Sequence, residues 1–111
     1  MKLDVLGTEY EIIKTTANEQ PRLKNASGYC SSYNNKIYIE SELFADESYT
    51  DEDLKNSKQI ATKEILRHEI IHAFVKESGL LNSDINSESV VDYYASQFPK
   101  LLEAFRKADA L

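Results

Sequence analysis

The spacing of hydrophobic positions changes along the chain, from short strand-like clusters before residue 40 to a helical repeat beyond it. Residues 3–15, LDVLGTEYEIIKT, predict extended chain, with Gly7-Thr8 as the turn of a hairpin. Asn18 to Ser27 is polar, contains Pro21 and predicts a loop. Tyr29 to Ser31 predicts a short strand. KIYIE, at residues 36–40, predicts another because it is rich in β-branched and aromatic residues. Between them, Tyr33-Asn34-Asn35-Lys36 fits a tight turn, since Asn tolerates positive φ.

Thr50 predicts an N-cap, with Asp53 three residues later and acid throughout the first turn. A long helix is expected from about Asp51 to Ser78, with Gly79 ending it. LLNSDIN predicts a short loop. A second helix is expected over about Ser87 to Lys107, where Val90, Val91, Tyr94, Phe98, Leu101, Leu102 and Phe105 keep the 3.6-residue period. Pro99 lies inside it and predicts a kink or a division in two. Strands followed by helices predict an α+β domain, with N-terminal β-hairpins in an antiparallel sheet followed by the two helices.

Composition narrows the partners. A chain of 111 residues suits one domain with one core, and its opening Met predicts a complete protein. A net charge of −6 and a pI near 4.9 argue against nucleic acid or an anionic membrane as the main partner. They favour a small molecule, a peptide or another protein. No run is long enough to cross a membrane. The N-terminus carries acid where a signal peptide needs an apolar stretch, so a cytoplasmic protein is expected. The single cysteine, Cys30, leaves no internal disulfide and fits a reducing compartment.

The chemistry concentrates in LRHEIIHAFV, residues 66–75, which holds both histidines of the chain. Residues four apart on a helix share a face, so His68 and His72 point the same way and can chelate one ion. Glu69 lies about 100° further round, too far to be a ligand with both histidines but able to reach a water on the same ion. His68-Glu69-Ile70-Ile71-His72 is the H-E-x-x-H pattern of two zinc ligands and a general base. Such a pattern also arises by chance on a surface helix. Here Ile65, Leu66, Ile70, Ile71, Ala73, Phe74 and Val75 surround it. Buried imidazoles and a buried carboxylate without partners are costly, and a metal ion removes the conflict.

A catalytic zinc site has three protein ligands and an open position, so the third must be a carboxylate or Cys30. Glu77 lies off the histidine face. Glu88, which opens the second helix on its core-facing side with Val91, Asp92 and Ala95, is the better candidate; its plain alternative is an acid favouring a helix N-terminus. Asp92, one turn on, can accept the second N–H of a ligating histidine or simply face solvent. Cys30 reads as a small buried residue or an additional ligand. Tyr29, Tyr33, Tyr38, Tyr93 and Tyr94 are candidates to stabilise an oxyanion, and each is equally a packing aromatic.

These residues resemble the gluzincin branch of the zincin metallopeptidases, in which H-E-x-x-H on one helix is completed by a glutamate from a following helix. Thermolysin-like members carry E-x-x-x-D there, and this chain has Glu88-Ser89-Val90-Val91-Asp92. The layout of residues 28–107 is similar to very small single-domain zincin-like proteins, many of them encoded by phages and prophages. The resemblance implies His68, His72 and Glu88 as ligands of one zinc ion, Glu69 as base and Asp92 behind a ligand. It implies hydrolysis of a peptide or protein substrate. It also implies that KIYIES is an edge strand beside the active-site helix, with Tyr38 and Ile39 against the substrate. Its alternative is a zincin-fold metal-binding protein that acts by interaction and turns over little or nothing.

Overall fold

The computed structural model describes residues 1–43 and 52–111. Strands β1 (Lys2–Val5) and β2 (Thr8–Thr15) form the expected first hairpin. Its turn centres on Leu6-Gly7 rather than Gly7-Thr8. Both residues have positive φ, 51° and 91°, the geometry that suits the twist of a two-residue hairpin. The Gly7 N–H donates to Asp4 Oδ2 at 3.2 Å, which steadies the turn.

Strands β3 (Gly28–Ser31) and β4 (Lys36–Glu40) form the second hairpin, and Asn35 adopts the expected positive φ of 54°. The polar loop before it contains a short 3₁₀ turn at Pro21–Lys24. The two hairpins join through a parallel pair, β2 with β4, so the sheet order is β1-β2-β4-β3. The domain is α+β, with a mixed sheet rather than an antiparallel one.

That order corrects one expectation. KIYIE is an interior strand, bonded to β2 on one side and β3 on the other. It therefore has no free backbone edge. Ile37 and Ile39 are buried, and Tyr38 between them points to the opposite face of the sheet. Among the described residues, the free edge on this side of the sheet belongs to β3.

Helix α1 (Glu52–Glu77) packs on the sheet. Its expected cap, Thr50, and its expected first residue, Asp51, lie outside the described residues. The core joins Val5, Tyr10, Ile12, Ile37, Ile39 and Ala73, with Ile65, Leu66 and Ile70 against it. Phe74 is exposed, so apolar packing surrounds the histidine pair on one side rather than on most sides. Gly79 ends the helix at φ 77°. Its N–H bonds Lys76 O and the Leu80 N–H bonds Val75 O, which satisfies the last carbonyls. Glu77, off the histidine face as expected, accepts from Thr8 Oγ1 at 2.7 Å and from the buried Tyr10 hydroxyl at 2.8 Å. These bonds tie the end of α1 to β2.

A 3₁₀ turn, Asp84–Asn86, leads into α2 (Glu88–Lys107). Ser87 caps α2, its hydroxyl accepting from the Val90 N–H at 3.4 Å. The helix runs through Pro99 as one element, so the alternative of a division in two does not occur. Its buried residues, Val91 and Ala95, lie on the same face as Glu88 and Asp92.

Candidate metal centre

Two local periodicities and one packed helix pair build the site. His68 and His72 are adjacent turns of α1, and Glu88 is the first residue of α2. The Nε2 atoms of the two histidines stand 3.1 Å apart. Glu88 brackets them, with Oε2 at 2.9 Å from His68 Nε2 and Oε1 at 3.0 Å from His72 Nε2. The three residues form a group able to hold a metal ion.

The outer nitrogens fix which way each ring presents its lone pair. His68 Nδ1 lies 2.7 Å from Asp92 Oδ1, and an ionised carboxylate only accepts, so Nδ1 carries the hydrogen. His72 Nδ1 lies 2.7 Å from Asn86 Oδ1. The orientation of that amide is set by its other end, since Asn86 Nδ2 donates to Leu81 O at 3.0 Å. His72 therefore also carries its hydrogen on Nδ1. In the neutral rings both Nε2 lone pairs then face each other and the Glu88 carboxylate across about 3 Å. Such an arrangement is repulsive by itself, and one cation at its centre would relieve it.

Glu69 supplies a second sign of a ligand. It is 5% exposed, and its Oε2 is buried with no hydrogen-bond partner among the described residues. Native proteins seldom leave such an atom unsatisfied. Its Oε1 lies 4.0 Å from His68 Nε2, close enough to serve a group bound beside the histidines. Burial pushes the Glu69 carboxyl above the ordinary carboxylate range, while His68 and His72 pull it down.

Strand β3 forms the facing wall. A Cβ on Gly28 would stand 2.7 Å from Ile65 Cγ2 and 3.1 Å from Glu69 Cγ, so only glycine lets this edge strand come so near α1. Between them lies a cleft of about 650 Å³ that reaches His68, Glu69, His72, Glu88 and Asp92.

The remaining candidates separate clearly. Tyr38 and Ile39 do not line this cleft. Their strand is interior to the sheet, and the edge strand that borders the cleft is β3. Cys30 lines the cleft but is not one of the converging ligands among the described residues. Burial pushes its thiol up to about 12, with the charge of Glu69 acting the same way. Of the tyrosines considered, Tyr29 lines the cleft. Tyr33 is exposed, and Tyr93 and Tyr94 pack edge-on to each other on the outside of α2. Asn86 was not singled out from the sequence. It lies in a polar stretch that carries no motif, and its role depends on a fold-back onto Leu81 that no local pattern announces.

Searches of protein-family models, of curated proteins and of solved structures returned no match to this chain.

Proposed function

We propose that this protein is a zinc-dependent metallopeptidase of the gluzincin-like type, hydrolysing peptide bonds with Glu69 as general base. The observation that carries this reading is the unpartnered Oε2 of buried Glu69 beside two inward-facing histidine lone pairs and the Glu88 carboxylate. A structural metal site has no use for that extra carboxylate. Two histidines, one carboxylate and an open side suit zinc best among common ions.

When bound, the ion acidifies a water and polarises a carbonyl. His68, His72 and Glu88 hold it, with Asp92 and Asn86 fixing the two rings. Glu69 accepts the proton of the attacking water and returns it to the leaving amine. The raised affinity of its buried carboxyl for a proton suits that exchange. The edge of β3, unpaired among the described residues, offers backbone N–H and C=O groups to an extended peptide lying along the cleft.

The 74% exposure of the Glu88 side chain favours a second reading, a metal-binding protein that docks partners without turnover. One comparison separates the two. Zinc stoichiometry and cleavage of a peptide library are measured for the unsubstituted protein and for Glu69→Gln. Equal zinc with cleavage lost in the variant supports the peptidase. Zinc binding without cleavage by the unsubstituted protein supports the docking protein, and no zinc at micromolar metal rejects both.

A further inference from the structure

The cleft is strongly one-sided in charge. Its walls carry Glu64, Glu69, Glu88 and Asp92, and among the described residues no lysine or arginine lines it. The nearby guanidinium of Arg22 sits 5.0 Å from the centre of the Tyr29 ring and is not part of the lining. A divalent ion offsets only two of the four negative charges. The cleft stays anionic when loaded.

Three of these acids have tasks. Glu88 and Asp92 are bonded to histidines, and Glu69 is buried beside them. Glu64 has none. It stands one turn before His68 on α1, so it faces the same way. It is half-buried, and its side chain makes no hydrogen bond or ion pair among the described residues. The lining beside it includes Ala61 on its own helix and Ala26 and Ser27 at the start of the facing wall, all small side chains. Buried Glu69 lines the same cleft, and its unpartnered Oε2 lies 3.3 Å from where a Cβ on Gly28 in the facing wall would stand, a sign that a ligand completes the cleft.

We propose that this cleft selects a basic side chain, lysine or arginine, and that Glu64 is the residue that selects it. The inference rests on the peptidase reading above and gives it a substrate class. A peptide covering Glu64 strips water from its carboxylate. A lysine or arginine replaces that water with an ion pair, a neutral alkyl chain leaves the carboxylate unpaired, and an acidic chain is repelled. Neutralising the net charge of the loaded cleft works in the same direction.

Binding measured without turnover tests this. Zinc-loaded Glu69→Gln protein is titrated by fluorescence anisotropy with labelled alanine hexapeptides that differ at one residue: lysine, norleucine or glutamate. The lysine peptide is expected to bind about fivefold tighter than the norleucine peptide, with the glutamate peptide weakest. The margin should shrink as salt rises. Adding Glu64→Gln should erase it and Glu64→Lys should reverse it, with zinc stoichiometry and circular dichroism unchanged. If Glu64→Gln fails to fold, Glu64→Ser serves in its place. Equal binding of the three peptides, a lysine preference that survives loss of Glu64, or no binding at all overturns the proposal. A lysine preference with no cleavage by the unsubstituted protein keeps the charge selection and rejects the peptidase. Cleavage without a lysine preference does the reverse.

Discussion

Arg67 Nε donates to the backbone carbonyl of Ala95 at 2.6 Å. That carbonyl is the one left unpaired by Pro99, because proline has no N–H to return to the residue four positions earlier. One guanidinium thus lets α2 continue across its proline and pins α2 to α1 next to His68. Glu88 and Asp92 reach the histidines because the two helices are held in this register.

Replacing Arg67 by Met should therefore destabilise the protein by about 1–3 kcal/mol, the range for a buried acceptor left unsatisfied. The loss should be smaller in a Pro99→Ala background, where the restored N–H satisfies Ala95 O. Urea unfolding of the two single variants and the double variant measures this coupling. An undiminished loss in the Pro99→Ala background would sink the explanation.

Zinc affinity should divide the site residues into two grades. His68→Ala, His72→Ala and Glu88→Ala remove a ligand and should abolish tight binding. Asn86→Ala and Asp92→Ala leave the ligands in place but free a ring, and should weaken zinc about 10–100-fold. Competition with a colorimetric chelator reads both. Unchanged affinity in Asn86→Ala would show that the His72 tautomer is set by something else.

Gly28→Ala should push β3 away from α1, since its Cβ would overlap Ile65 and crowd Glu69. Overpacking of this kind costs roughly 1–3 kcal/mol. The expected signature is a lower melting temperature together with weaker peptide binding. Zinc stoichiometry should hold, because no ligand comes from β3.

Acid should loosen the join between α1 and β2. Hydrogen bonds from Thr8, Lys76 and Tyr10 hold the Glu77 carboxyl at about 2, well below its ordinary value of 4.5. A carboxyl with a depressed folded pKa stabilises the fold above its unfolded value, and that contribution fades as pH falls through the folded one. The stability advantage of the unsubstituted protein over Glu77→Gln should therefore be full above about pH 5 and shrink steadily toward pH 2. Denaturant melts of both proteins across that window give the difference directly. A gap that does not vary with pH would mean Glu77 acts only through packing.

Several of these relationships are legible in the sequence. The pairing of His68 with His72 is a property of one helix, and helical spacing alone puts them on one face. Glu88 and Asp92 followed from the same rule on the next helix, and the structure brings both to the histidines. The Leu6-Gly7 turn was misplaced by one residue because Gly7 can serve either position, and only the strand register selects. Asn86 stayed hidden because its partners, His72 and Leu81, meet only when the connecting turn folds back.

The sheet marks the limit of such reading most sharply. Strand content came from side chains that alternate along one segment, but strand order depends on backbone groups that any strand can offer to any other. KIYIE could be read as a strand and not as an edge, since its parallel bond to β2 joins segments with no local link between them. By itself, then, the sequence determined which residues make up the candidate site: two histidines and a glutamate on one helix, two acids on another. Tertiary structure alone decided that the lone pairs converge, that Glu69 is buried without a partner, and that β3 rather than β4 borders the cleft. The physical reason is that periodicity is short-range, whereas convergence depends on contacts between elements distant in the chain.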